Sequence, residues 1–175
     1  MEQTQLSERM KIKELLHEAV EKQKRSNRAV ELAASRGQLD EAMKVVDSTT
    51  EDARTRALFL AVKGQHKGVV RLLLEHGTDV NRKDDAGGGW TCLMIAAEKG
   101  SENLEIVKLL VQHGADVSLK DGAGRNALEI SELDSRRRVD ELLGTRSRRE
   151  LRLRIENARQ FEKLLKKAPF NLALS

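Results

Sequence analysis

The sequence predicts an all-α solenoid of stacked helix-turn-helix units, and repetition along the chain is the main reason. The segment Gln65–Asn81 returns, with the same order of residue types, as Leu104–Ser118. Leucines recur at a step of 35 residues, at Leu58, Leu93 and Leu128. A short unit that recurs in this way buries its apolar face against its neighbours, so the repetition indicates a stack.

Glycines divide each predicted unit into two helices. Gly37, Gly64 and Gly100 follow pairs of small residues, and we expect the first helix of each unit to end there. The small residues suit a close approach between the first helices of adjacent units. A second helix with an apolar stripe follows, which in the second unit consists of Val69, Val70, Leu73 and Leu74.

The second helices are predicted to end at His76–Gly77 and His113–Gly114, where glycine supplies a left-handed cap. Asp79 and Asp116 come directly afterwards. Short acidic side chains at such positions accept hydrogen bonds from nearby backbone amides, so we expect both to order the following turns.

These units resemble the ankyrin repeat family. Thr91–Gly100 is similar to the family's Thr-Pro-Leu-His-x-Ala-Ala-x-x-Gly opening, and Gly114–Val117 matches its Gly-Ala-Asp-Val closing. Lys120–Leu128 resembles the loop into a further unit. The resemblance covers residues 27–144 and implies an ankyrin-repeat solenoid of about four repeats, the first and last atypical.

The helix openings depart from the family pattern in two ways. The family's proline is replaced by Ala57, Cys92 and Ala127. Its histidine is replaced by Phe59, Met94 and Glu129. We expect these replacements to remove hydrogen bonds of the opening turn and to loosen the stack.

Residues 1–26 are predicted to form an N-terminal capping helix. One apolar face follows from the helical spacing of Ile12, Leu15, Leu16, Ala19 and Gln23. The next helix is expected to begin with Ser26 or Asn27 as its N-cap. The alternative is a helix that binds a partner or a second copy of the chain.

Residues 145–175 are predicted to form a basic amphipathic C-terminal helix and tail. From Arg136 to Lys167 there are twelve Lys or Arg and five Asp or Glu. The apolar stripe consists of Leu151, Ile155, Ala158, Phe161 and Leu165. We expect a terminal cap whose basic side chains face water; contact with acidic membranes, RNA or an acidic partner is the alternative.

Two further features of this region are predicted. Ala168–Pro169 should end the helix, because proline disfavours helical backbone in the residue before it. Arg136–Arg138 and Arg146–Arg149 fit a nuclear targeting pattern of low specificity.

Composition favours a non-catalytic protein without metal or cofactor. The net charge of +4 is small for a dedicated nucleic-acid binder. The only cysteine, Cys92, fits a reducing compartment, so we expect the cytoplasm or the nucleus. No His and Cys have zinc-ligand spacing, and Gly87–Gly89 lacks the Lys-Ser/Thr of a phosphate loop.

In the ankyrin family the turn tips and the inner face of the first helices form a concave surface where partners dock. Carried onto this sequence, the resemblance implies a partner-binding set of Arg36, Lys63, Lys83, Asp85, Trp90, Glu98, Lys99, Lys120 and Arg125. Within this set, a basic stripe is expected from Arg36, Lys63, Lys99 and Arg125.

Trp90, the only tryptophan, has two interpretations. In the first, Trp90 anchors a partner, because tryptophan and arginine are common energetic centres of interfaces. Alternatively, it folds back onto Leu93 or Met94 and closes its own loop.

The leading hypothesis is a protein-binding adaptor or scaffold that holds an acidic or mixed-charge segment on its concave face. The alternative is nucleotide, oligonucleotide or RNA binding through Trp90 and the basic stripe. Gly88–Thr91 is similar to the adenine-stacking loop of the ankyrin sensor in oligoadenylate-activated endoribonucleases. Stacking on an aromatic ring beside cationic groups suits such ligands. Self-assembly through the end helices is a third hypothesis.

Overall fold

A computed structural model describes residues 2–84, 88–133 and 148–167, with side chains for residues 7–84, 88–133 and 155–166. The helices are α1 (Glu2–Arg36), α2 (Leu39–Val45), α3 (Glu51–Lys63), α4 (Lys67–Glu75), α5 (Cys92–Glu98), α6 (Leu104–Gln112), α7 (residues 127–133) and α8 (Arg148–Lys167). Two 3₁₀ turns cover Val46–Ser48 and Gly100–Asn103.

The helices form two layers, as a repeat stack requires. In the first layer α1 packs on α3 and α3 packs on α5; in the second, α2 packs on α4 and α4 on α6. Within the units, α1 contacts α2, α3 contacts α4, and α5 contacts α6. This arrangement confirms the predicted all-α solenoid.

Small side chains explain how closely the first layer packs. Ala53, Ala57 and Ala61 lie along one side of α3 and are completely buried. All residues of α5 from Cys92 to Ala97 are buried. The apolar stripe predicted on α4 is buried as well, so each unit contributes both of its helices to one core.

The helix ends agree with the glycine pattern at most positions. Gly37, Gly77, Gly100 and Gly114 have φ values of +70°, +70°, +62° and +83°, which are the left-handed values of helix caps. The second unit differs: Gly64 has φ −83°, and Gln65 takes the positive value of +62°.

The predicted turns after the second helices are confirmed. The Asn81 amide donates to Asp79 Oδ1 (2.9 Å), and the Ser118 amide donates to Asp116 Oδ1 (2.8 Å). Asn81 also links two successive turns, since its Oδ1 accepts from the Asp116 amide at 2.7 Å.

The prediction that the helix openings lose their hydrogen bonds is wrong at two of the three openings, those with Met94 and Glu129, whereas Phe59 lies inside α3 and has no side-chain acceptor. Thr91 Oγ1 accepts from the Met94 amide at 3.4 Å, and Met94 Sδ accepts from the Thr91 amide at 3.4 Å. Asn126 Oδ1 accepts from the Glu129 amide (2.9 Å), while Glu129 Oε2 accepts from the Asn126 amide (2.8 Å). A thioether and a carboxylate therefore replace the family's imidazole as acceptors.

The break expected at Ser26 or Asn27 is absent, because α1 is continuous from Glu2 to Arg36. This stretch contains neither Gly nor Pro and is rich in helix formers. Asn27 has another role: its Oδ1 accepts from the Thr50 amide (3.0 Å) in the connection between α2 and α3.

The N-terminal half of α1 does not cap the stack. The side chains of residues 7–20 are all exposed. The first unit also has an open outer side, where Leu32, Leu39 and Met43 remain exposed. Because α1 is continuous, its residues 7–20 do not fold back over this side.

The C-terminal helix α8 packs against α6 and the 3₁₀ turn Gly100–Asn103. Phe161 and Leu165 are buried, whereas Ile155 is exposed. This supports a structural cap for the C-terminal half of α8. Arg136–Arg138, Arg146–Ser147 and Ala168–Pro169 lie outside the described residues.

Candidate partner-binding groove

Two adjoining pockets lie along α3 and α5, and we refer to them together as the groove. The Trp90 pocket, of about 360 Å³, is lined by Lys63, Asp84, Trp90, Ile95, Glu98 and Lys99. The Arg82 pocket, of about 320 Å³, is lined by Asp52, Thr55, Arg56, Phe59, Arg82, Lys83 and Asp84. Asp84 lines both pockets, so they adjoin at this residue.

Helical spacing places the groove side chains. Asp52, Arg56, Phe59 and Lys63 follow one another at intervals of three or four residues along α3. Residues at such intervals share one face of a helix. The end of α5 contributes Ile95, Glu98 and Lys99 in the same way.

The position of Trp90 is compatible with both interpretations that the sequence suggests. It is partly buried, packs against the core and also lines the Trp90 pocket. Its carbonyl oxygen accepts from the Asp84 amide at 2.8 Å. A Cβ added to Gly88 would lie 2.7 Å from Trp90 Cδ1, so the glycine leaves space for the indole. The ring is thus held in place against its own loop.

Most charges of the groove already have partners. Arg82 Nη1 lies 2.6 Å from Asp52 Oδ1, and Lys63 Nζ lies 3.7 Å from Asp84 Oδ2. These groups are partly exposed, and such pairs stabilise a fold by about 0–1 kcal/mol. A partner could therefore exchange them at small cost.

Glu98 and Lys99 differ from these residues in their ion pairing. Within the described part of the chain, neither is among the side chains that form an ion pair. Glu98 is exposed and Lys99 is half-buried, and both line the Trp90 pocket. They are the charges of this pocket most available to a ligand.

Lys83 and Lys120 meet at the turn tips. Lys83 Nζ donates to the Lys120 carbonyl oxygen at 2.8 Å. Beside them the Gly122 amide donates to the Gly88 carbonyl at 2.8 Å. These bonds tie two successive turns together, so they fix one wall of the groove.

Arg125 departs from the predicted basic stripe. Its Nε and Nη2 donate to Asp121 Oδ2 at 3.0 and 2.8 Å. The backbone amide of Arg125 also donates to Asp121 Oδ1 (2.8 Å), and this bond is the main cause that lowers the pKa of Asp121. Arg125 is therefore a structural partner of Asp121 and not a free cation.

The remaining members of the predicted set are separate from the two pockets or outside the description. Arg36 is exposed at the end of α1 and is not among the residues that line either pocket. Asp85 lies outside the described residues. The structure thus brings Lys63, Trp90, Glu98 and Lys99 together.

Several groove residues were missed from the sequence. Arg56, Phe59 and Asp52 share a face of α3 with Lys63, and that spacing was a usable signal. Arg82 and Asp84 belong to a turn, where no periodicity exists to predict which way a side chain points.

The titratable residues form no arrangement typical of catalysis in the described part of the chain. Burial raises the pKa of the Cys92 thiol far above its usual range, which makes it a poor nucleophile. The described residues contain no group of three or more His, Cys, Asp and Glu that could hold a metal ion. None of the described helices combines the length and apolarity needed to cross a membrane.

The stacked helix pairs define the class of repeat proteins whose successive units form one continuous face. A family model described as ankyrin repeats (3 copies) matches residues 8–121 and 82–144. The match covers well over half of the chain, so the chain belongs to the ankyrin repeat family. It begins inside α1, upstream of the start at residue 27 that the sequence motifs suggest. No curated protein matches the chain.

Proposed function

We propose that this ankyrin-repeat protein is a non-catalytic adaptor that binds a segment of a partner protein in the groove. Ankyrin repeats are generally protein–protein interaction modules. The observation that carries the proposal is the Trp90 pocket, which combines a fixed indole with the apolar Ile95 and the charges of Glu98 and Lys99. Aromatic side chains beside mixed charges are common at interface centres.

The dimensions support an extended or helical segment as the ligand. Each pocket, of about 360 and 320 Å³, has room for one or two side chains. Their shared boundary at Asp84 allows one chain to occupy both. The ordered wall at Lys83 and Lys120 also limits the ordering cost of binding.

The charge of the groove favours an acidic or mixed-charge segment. Five basic residues line the two pockets: Arg56, Lys63, Arg82, Lys83 and Lys99. Three acidic residues accompany them: Asp52, Asp84 and Glu98. Acidic partner side chains would gain from the small excess, while basic ones would meet the carboxylates.

The nucleotide or oligonucleotide alternative is less well supported by the groove. Asp84 and Glu98 lie beside Trp90, where a stacked base would bring its phosphate close to carboxylates. Arg125, the fourth member of the expected basic stripe, is neutralised by Asp121. We therefore place the adaptor function first, with the cytoplasm or the nucleus as its compartment.

The test is affinity capture from cell extract with wild type and the double variant Lys63→Glu/Lys99→Glu. We expect the wild type to retain a protein that the variant loses, because both substitutions reverse charge in the Trp90 pocket. Arg71→Glu is the matched control, since Arg71 is exposed on α4 in the second layer and outside the groove. Circular dichroism should show the same helicity for all three chains.

Two results would argue against the adaptor proposal. Equal capture by wild type and the groove variant would move binding elsewhere on the molecule. Capture that disappears after nuclease treatment, and that weakens steeply with salt, would favour the nucleic-acid alternative.

A further inference from the structure

The exposed half of α1 carries an apolar stripe on which none of the described residues packs. Ile12, Leu15 and Leu16 are 57%, 65% and 62% exposed. Large apolar side chains scattered singly on a surface need no explanation, but a row of them along one helix face marks an interaction surface.

The stripe has the spacing of a helix-pairing seam. Ile12, Leu16, Ala19 and Gln23 follow one another at intervals of four, three and four residues. The same alternation continues to Val30 and Ala33, which are buried where α1 contacts α2 and α3. One seam therefore runs from Ile12 to Ala33, and neighbouring helices cover only its C-terminal part.

We propose that a second copy of this chain covers the exposed part, through antiparallel pairing of the two α1 helices. The antiparallel direction follows from the point on α1 at which the rest of the same chain begins to contact this helix. Gln23 donates from Nε2 to the Ser48 carbonyl, which places the connection to α3 beside α1 from this residue onward. A parallel partner would bring its own α3 into the same space. In an antiparallel pair, the two repeat stacks lie at opposite ends of the paired α1 helices.

Charge complementarity selects a register in which the two-fold axis passes between Lys13 and Leu15. In that register Ile12 lies against Leu16 of the second copy, and the two Leu15 side chains meet. Glu8 then lies opposite Lys22 of the second copy, and the pair occurs twice by symmetry. On the other side of the seam, Lys13 faces Lys13 of the second copy, and both side chains reach water.

The pairing is expected to be weak and concentration-dependent. The overlap from Glu8 to Lys22 is 15 residues long, which is about four turns or about 22 Å of helix. Ala19 fills the seam poorly compared with Ile12 and Leu16, and the Gln23 side chain already donates to the Ser48 carbonyl of its own chain. Dimers should therefore dissociate on dilution, so that monomer and dimer can both be measured by varying the protein concentration.

The test combines sedimentation velocity with charge reversal in the full chain. Wild type should shift from monomer to dimer with rising concentration. Glu8→Lys and Lys22→Glu alone should each weaken the dimer at least threefold, and the double variant should restore it. Glu14→Lys, which makes the same change on the opposite face of the helix, is the control and should leave the dimer intact.

A second measurement tests the geometry independently. Leu15→Cys should form a disulfide-linked dimer on mild oxidation, because the two-fold axis passes beside this residue. Glu21→Cys, on the outer face, should not form the dimer. The native Cys92 is buried and does not compete.

Three outcomes would overturn the proposal. A wild-type chain that remains monomeric at all concentrations has no such pairing. Charge reversal without rescue by the double variant would exclude the register. A monomer that binds anionic phospholipid vesicles, and loses this binding in Leu15→Glu, would assign the stripe to a membrane surface instead.

Discussion

At the scale of single residues, His66 joins the first two units through the space that two glycines leave. Its ring lies where a Cβ would stand on Gly37 and on Gly64. Its Nε2 lies 3.2 Å from the Ser35 carbonyl oxygen, which belongs to α1. The glycine at position 64 is therefore explained by packing, since its φ of −83° is open to any residue.

We predict that Gly64→Ala destabilises the fold by about 1–3 kcal/mol, the usual cost of overpacking. The new Cβ would lie 2.6 Å from the imidazole, and Gly37 prevents the ring from moving away. Gly68→Ala is the matched control. Its Cβ would meet Leu39 Cδ2 at 3.4 Å, an ordinary contact, and alanine favours helix by about 0.5–1 kcal/mol.

Urea unfolding would separate the two variants. Gly68→Ala should be as stable as wild type or more so. If Gly64→Ala is equally stable, the imidazole of His66 does not restrict the size of the residue at position 64. Restored stability in Gly64→Ala/His66→Ala, relative to His66→Ala alone, would identify the ring as the obstacle.

Asp121 gives the fold a dependence on pH. Hydrogen bonds from the Arg125 backbone and side chain, and from the Ala123 backbone, lower the pKa of this carboxyl group. A group whose pKa is lowered on folding stabilises the protein above its unfolded pKa, about 3.9 for Asp. That stabilisation is lost as the pH falls below this value and through the lower folded pKa.

We therefore expect Asp121→Asn to unfold more readily than wild type at pH 7, with a difference that shrinks toward pH 3. Thermal unfolding at both pH values measures it. Arg125→Gln should reduce the pH dependence only in part, because the backbone donors of Ala123 and Arg125 remain. A constant difference at both pH values would exclude the ionised carboxylate as the cause.

At the scale of elements, α8 is held to the stack by a small apolar contact. Phe161 is 2% exposed and Leu165 is 3% exposed, on the side that faces α6 and the 3₁₀ turn. Asn103 in that turn is buried, and neither polar atom of its amide has a hydrogen-bond partner among the described residues. Such a group is costly to bury, which makes this contact weaker than its apolar area suggests.

We predict that Phe161→Ala releases α8 while the repeats stay folded. Loss of a buried phenylalanine costs about 3–5 kcal/mol, enough to undock a helix in which Phe161 and Leu165 are the buried side chains among the described residues 155–166. Amide exchange in α8 should accelerate, with little change in α3 and α4. Ile155→Ala, at a side chain that is 39% exposed, should have a much smaller effect. Unchanged exchange in α8 after Phe161→Ala would contradict this account of the contact.

The sequence predicted the elements better than their ends. Periodic leucines and small residues determined where the repeat helices lie, because those positions must be buried in every unit. Ser26 and Asn27 suggested a helix start, since both residues cap helices well. Their side chains can also serve tertiary contacts, and Asn27 binds the Thr50 amide instead. Local chemistry alone could not decide between these uses.

At the scale of the whole molecule, the main contacts among the described helices join each unit to its neighbours, so stability is distributed unevenly along the stack. Inner helices have cover on both sides, whereas residues 7–20 of α1 have none within the described chain. In such arrays, local opening depends on the cover that neighbours provide.

We expect native-state amide exchange to be slowest in α3 and α5 and fastest in the N-terminal half of α1. The measurement belongs at concentrations where the chain is monomeric. Leu73→Ala, at a fully buried position of α4, should lower the protection of all inner helices by about 2–5 kcal/mol. Uniform protection along the chain would mean that the stack unfolds as one unit, against this expectation.

The groove was predictable only in part because it depends on the whole stack. Lys63, Trp90, Glu98 and Lys99 come from positions that the repeat pattern marks as facing outward. Arg125 occupies an equivalent position, but its charge is used locally by Asp121, which is 1% exposed. Repeat spacing gives the position of a side chain but does not say whether a neighbour has already bound it.

The position of Trp90 has one practical consequence. The chain contains one tryptophan and no tyrosine, so near-ultraviolet emission excited at 295 nm, an excitation wavelength that selects tryptophan, comes from the groove alone. The indole is partly buried beside Glu98 and Lys99, so its emission maximum and its quenching by iodide should respond to an occupied groove. The protein therefore carries an intrinsic optical probe at the proposed binding surface, and a ligand titration can be followed without a label.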